Sequence, residues 1–197
     1  CDWSSDVCSS DLAAFRGGAW RHRRLRAAGG PGGATLMAAR KPALLSAAKI
    51  RRMKEEKFVH FLNPGAIRHT RSLGDAAGLQ TLGVHLVRLK QGDDSTEYHF
   101  HHQDEEWVYI LSGRGVAEIG GRTYKIAGGD FMGFVANSEP HAMRNPYKQD
   151  FVYLVGGNRW PMDVCDYPRI GKRRYRENGN NVYLDLASLT HVKRSRK

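Results

Sequence analysis

From Phe58 onward, apolar and polar positions alternate in short runs separated by turn-forming residues, which is the pattern of half-buried strands. "KFVHFL" precedes a turn expected at "NPG", and "GVHLVRL" alternates strictly. "QGDDS" reads as a loop before "TEYHFHH"; "WVYILSG", "GVAEI" and "RTYKI" follow, the last two joined by Gly120 and Gly121 as a two-residue hairpin signal. "AGGD" marks a turn, "FMGFV" a strand and "ANSEP" a loop, and "HAMRN" and "FVYLVGG" complete the series. Eight or more strands at spacings of about 8–12 residues, with almost no helix between them, predict an all-β fold. The lack of an internal repeat favours one barrel over two. Ahead of the strands, "AARKPALLSAAKIRRMKEEK" predicts one basic helix with Ser46 as its N-cap. Behind them, "VYLDLASL" predicts a last edge strand before a basic end expected to be disordered.

A chain of 197 residues has room for one ordinary domain with flanks. The layout expected is a leader over 1–36, a basic linker or helix over 37–57, the barrel over 58–168, and a trailing edge segment with a basic tail over 169–197. The leader opens with "CDWSSDVCSSDL", which reads as non-native sequence, with Met37 the expected start. An organelle-targeting segment is the competing reading, since Leu12 to Lys54 contains no Asp or Glu. No apolar run approaches the ~20 residues of a membrane helix, so a soluble, cytoplasmic protein is expected.

The formal net charge of +11 changes less than it suggests, because it is concentrated in the flanks. From Phe58 to Pro168 ten Lys and Arg face thirteen Asp and Glu, whereas 169–197 carries nine basic residues against two acidic ones. That distribution argues against a nucleic-acid-binding core. Cys1, Cys8 and Cys165 form no framework spacing, and Cys165 reads as a small, partly buried hydrophobe.

The chemistry concentrates in "HFHHQDEEW", His99 to Trp107, where three histidines and three consecutive acids adjoin an apolar run. Strand alternation puts His99 and His101 on one face, with Phe100 and His102 on the other. Glu106 opens the next strand and lands opposite the two imidazoles if the connection is tight. His141 supplies a fourth donor. Three imidazoles and a carboxylate suit Fe, Mn, Ni, Cu or Zn and leave coordination positions open. His102, Asp104 and Glu105 read as off-site or solvated groups. His60, His69, His85 and His191 each stand alone, His85 sharing the apolar face of Val87 and Leu89.

At these positions the sequence resembles the cupins. Gly92, His99, His101, Glu106 and Gly113 follow the family's first motif, and Gly129, His141 and Asn145 its second, with Val135 and Asn137 where Pro and Gly are usual. The resemblance implies a jelly-roll barrel, a divalent transition metal inside one mouth, and a homodimer. Two functions are compatible with it. One is a metal-dependent enzyme on a small oxygen-rich molecule, dioxygenase-like or sugar isomerase-like, with His99, His101, Glu106 and His141 as ligands, Asn145 supporting the histidine strand, and no general base identified. The other is a non-catalytic sensor that holds a metal or metabolite.

Overall fold

The computed structural model describes residues 41–190 and Val192; the expectations for 1–36 and for the basic tail lie outside them. Ser46 caps helix α1 (Ala47–Arg52), its Oγ accepting from the Lys49 amide at 3.2 Å. The cap stands where the sequence puts it, but the helix is six residues long, and Glu56 and Lys57 already belong to a strand.

The strands run in order as β1 (Glu56–His60), β2 (Asn63–Ser72), β3 (Leu82–Leu89), β4 (Phe100–His101), β5 (Glu106–Ser112), β6 (Arg114–Ile119), β7 (Arg122–Ala127), β8 (Phe131–Phe134), β9 (His141–Arg144), β10 (Phe151–Asn158), β11 (Met162–Tyr167), β12 (Lys172–Glu177) and β13 (Asn180–Asp185). A one-turn helix, α2 (Leu73–Ala77), separates β2 from β3. The strands form a six-stranded sheet in the order β1-β2-β3-β10-β5-β8, a four-stranded sheet β13-β12-β11-β4, and a three-stranded sheet β7-β6-β9. Neighbouring strands pair antiparallel, from β1 with β2 through β6 with β9.

Alternation decides what lies inside. Val87 and Leu89 of β3, Val108 and Ile110 of β5, and Phe151, Tyr153 and Val155 of β10 share one face. They pack against Ala117, Ile126 and Met143 of the three-stranded sheet, with Phe134 closing one side. Each buried Val, Leu, Ile, Phe or Met among them contributes about 1.5–3 kcal/mol. Two turns hold the strand ends. Gly120 and Gly121, with φ of 57° and 78°, close the β6–β7 hairpin as its sequence signal predicts. Gly113 turns β5 into β6 at a φ of 78°, where a Cβ would stand 2.2 Å from the Asp150 carbonyl oxygen.

Two sequence expectations are corrected. "NPG" is not a turn but the start of β2, and the reversal falls one step earlier at Phe61 and Leu62. The "TEYHFHH" strand shrinks to Phe100–His101. Residues 163–175 form the β11–β12 hairpin, and β11 pairs directly with β4. β2 and β12 escaped a hydrophobic-pattern reading because both turn arginines inward, Arg68 in one and Arg174 and Arg176 in the other. Among the aromatics, Phe134 and Tyr153 are buried, while Tyr109 and Phe131 are exposed.

Candidate metal centre

β4 is the strand on which the centre is built. On one side it pairs with β11, Cys165 facing His101; on the other, His99 bridges to His141 through reciprocal backbone bonds of 3.1 and 2.8 Å. The bridge brings β4 and β9 side by side, and so sets His141 against His99. The turn before β9 is held by Asn137, whose φ of 59° is the left-handed conformation a glycine takes most readily. Its amide donates to the His101 carbonyl at 2.7 Å and its side-chain nitrogen to the His102 carbonyl. Asn thus performs the glycine's conformational role and adds a tie to the histidine strand.

The four side chains singled out from the sequence converge. His99, His101, Glu106 and His141 are 0%, 4%, 4% and 6% exposed, and Oε2 of Glu106 lies 3.6, 3.9 and 3.3 Å from the Nε2 atoms of His99, His101 and His141 respectively. Donors held ~2.1 Å from a shared ion stand roughly 3–3.4 Å apart, so the cluster is close to ligand spacing, with His101 at its rim. Alternation holds as read: Phe100 and His102 point away, and His102 meets Asp166 at 3.1 Å.

The opposite ring nitrogens show which way the imidazoles are poised. His101 Nδ1 is 2.7 Å from the Asp163 carboxylate, His99 Nδ1 is 2.9 Å from the Glu97 carbonyl, and His141 Nδ1 faces the Glu139 carbonyl at 3.4 Å. These acceptors assign the proton to Nδ1 in His99 and His101 and turn the Nε2 lone pairs toward the carboxylate. Buried lone pairs aimed at one another repel unless a cation stands between them. The Nε2 of His101 accordingly has no hydrogen-bond partner, although it is buried. The donor set and this orphaned atom fit a divalent transition metal.

The electrostatics agree. Burial drives the His101 imidazole down to about 4, against the pull of Asp163, and holds His99 well below the usual imidazole range, so both are neutral. Burial alone would push Glu106 up, but the imidazole of His141 beside it holds its carboxyl well below the carboxylate range. The Phe134 ring stacks on His141 with centroids 3.5 Å apart and planes 4° apart, fixing its rotation. Val108, Ala117, Ile119 and Met132 line the adjoining space and make it apolar. A larger, polar depression of about 260 Å³ opens on the far side of β6 and β9, among Asp94, Glu118, Arg144 and Arg169, away from the four donors.

Two acids behind the centre were not identified from the sequence. Asp163, wholly buried on β11, accepts from His101 and from Arg174 Nη2 at 3.1 Å, and these cations and donors hold it below its ordinary range despite burial. Asp104, read as a solvated turn acid, is 1% exposed and paired with Arg176 at 2.6 Å; burial pushes it up to about 6. The signal for both lay in the alternating arginines of "KRRYR", a strand with buried cations that need buried anions. Glu105 is exposed as expected. Asn145 is fully buried but does not touch His141: its side-chain nitrogen donates to the carbonyls of Leu89 and Gln149, tying the end of β9 to β3. Gly92 completes that tie, its amide donating to the Asn145 carbonyl at 2.7 Å.

Residues 85–157 match the family model described as the Cupin domain. A solved structure from Acidithiobacillus ferrooxidans, a candidate sugar phosphate isomerase, is 46% identical and has a TM-score of 0.76, the alignment covering 80% of this chain and 100% of that one. A second, a cupin-superfamily sugar phosphate isomerase from Silicibacter pomeroyi, is 26% identical with a TM-score of 0.65, over 75% of this chain and 96% of its own. No curated protein matches the chain.

Proposed function

The chain belongs to the cupin superfamily, and from that premise we propose that it is a metal-dependent isomerase acting on a sugar phosphate. His99, His101, Glu106 and His141 are the ligands in this reading. The observation that carries it is the meeting of three imidazole nitrogens on one Glu106 oxygen, in a chain 46% identical to a candidate sugar phosphate isomerase. The isomerase-like function is favoured over the dioxygenase-like one because the two structural relatives described above carry that description.

A divalent ion in this site would act as a Lewis acid on a hydroxy-carbonyl group, acidifying the neighbouring carbon. The chain's own part is to present four donors. Asp163 holds His101 in the tautomer that coordinates, Glu97 does the same for His99, and Phe134 fixes the plane of His141. The apolar lining keeps water sparse, which strengthens every charge interaction at the reacting group.

Elemental analysis of protein purified without added metal, followed by aldose and ketose phosphate assays before and after chelation, tests the reading. Expected is close to one transition metal per chain and turnover that falls on chelation and returns with one of Fe, Mn, Ni, Cu or Zn. Protein that carries no ion under several expression conditions overturns it. A loaded protein that turns over no sugar phosphate transfers the site to the sensor function.

A further inference from the structure

β11 brings a thiol to the imidazoles, and the four-donor set leaves it unused. Asp163, Cys165 and Tyr167 alternate onto one face of β11 and are 0%, 0% and 1% exposed. Asp163 meets His101 at 2.7 Å, and the Tyr167 ring lies 6.1 Å from that of His99, so Cys165, between them in the row, stands beside both histidines. Strand pairing gives the same placement, since Cys165 is the residue opposite His101. Its Sγ and one ring nitrogen from each of His99 and His101 lie within 4.8 Å of one another. Nitrogen and sulfur held ~2.1 and ~2.3 Å from one ion stand up to about 4.4 Å apart, so this trio is near ligand spacing.

A buried cysteine is more often a small apolar residue than a ligand. Cys165 stands outside the apolar cluster of Val87, Ile110 and Phe151, in a row with a carboxylate and a phenol, and its side chain shares a hydrogen bond with that of Tyr167. A second observation points to an ion. His101 Nε2 is buried without a hydrogen-bond partner, and of the three imidazoles His101 lies farthest from the Glu106 oxygen, at 3.9 Å. A donor from the neighbouring strand supplies what the distant carboxylate does not. Arg174, opposite Cys165 on β12, keeps its charge on Asp163 at 3.1 Å.

We propose that Cys165 is a further metal ligand, its sulfur joining His99 and His101 on a thiophilic ion such as Zn(II) or Cu(I). The ion takes the place of the thiol proton, which leaves to the solvent, so one sulfur–metal bond forms for each S–H bond lost and no electrons change hands. Thiolate is a soft donor, and the centre therefore takes zinc or copper in preference to manganese. The inference rests on the metal reading of the site and is independent of the isomerase one.

Zinc alone is the probe, added at one equivalent to chelator-stripped protein and read by X-ray absorption at the zinc edge. Expected is one sulfur at about 2.3 Å beside nitrogen and oxygen at about 2.0–2.2 Å. C165S and C165A should bind zinc with no sulfur in its shell. Their zinc affinity should fall by at least the roughly 10–100-fold that losing a group behind a ligand costs, and their manganese affinity should stay within about twofold. Cys1 and Cys8 are the other cysteines, and a C1S, C8S double variant should keep the sulfur, which assigns it to Cys165 even where C165S and C165A do not fold. A wild-type shell of nitrogen and oxygen alone, a sulfur that survives C165S or one lost with Cys1 and Cys8, or zinc affinity unchanged in C165S overturns the assignment and leaves the four-donor centre standing. Protein that binds no zinc removes both.

Discussion

Asp163 and His101 are 62 residues apart in sequence, yet their side chains meet at 2.7 Å, carboxylate to Nδ1, in full burial. The contact exists because β11 pairs with β4 in a register that puts Cys165 opposite His101 and Asp163 two residues along the same face. The carboxylate is the group that fixes the imidazole's tautomer. D163N should therefore weaken metal binding by roughly 10–100-fold while leaving four ligands in place. Competitive titration against a chelator reads this directly, and an affinity within twofold of wild type would remove Asp163 from its positioning role.

H101A and H102A form a matched pair, since the residues are adjacent and point to opposite faces. H101A should lose most of its bound metal. H102A removes the contact with Asp166, which Arg173 also pairs, and the ring contact with Phe100, and should keep metal at the wild-type level. Equal loss in both would mean that the site depends on the strand's fold and not on which face each imidazole occupies.

How far the sequence was legible depended on which physical signal each residue leaves. The inward set His99, His101, Glu106 followed from period-two alternation, and His141 from its place after a loop; the structure gathers the three imidazoles around one Glu106 oxygen. The hairpin at Gly120 and Gly121 followed from its turn residues. Asp163, Arg174 and Asp104 did not follow, because a buried ion network reads in sequence as an exposed, charged segment. Arg68 was hidden in the same way: a cation on the inward face breaks the apolar alternation that identifies a strand. Polar groups placed inside the barrel are what a pattern-based reading misplaces, and two of them, Asp163 and Asp104, adjoin His101.

Gly113 offers a test of the fold apart from the metal. At a φ of 78°, with a Cβ position 2.2 Å from the Asp150 carbonyl oxygen, alanine meets both backbone strain and a clash with main-chain atoms that cannot rotate aside. G113A should destabilise the protein by roughly 2 kcal/mol or more, read as a lowered denaturant midpoint. An unchanged midpoint would show that the β5–β6 turn relaxes without strain.

His85 makes stability depend on pH. Arg159 Nη2 donates to its Nε2 at 3.2 Å, and burial, Arg159 and Arg68 together hold the ring near 4, against a weaker pull from Asp75. In the unfolded chain an imidazole titrates near 6.5. Between about 6.5 and 4 the unfolded chain therefore binds a proton that the folded protein refuses, so stability falls as pH is lowered through that window and is fully present above it. The largest loss from this residue is about 3 kcal/mol, reached near pH 4. H85Q keeps an acceptor for Arg159 and cannot be protonated, so its stability should decline less than the wild type's between pH 7 and pH 5. Urea midpoints of the two proteins across that range give the difference; parallel curves would mean that His85 takes up its proton as readily in the folded barrel as in the unfolded chain.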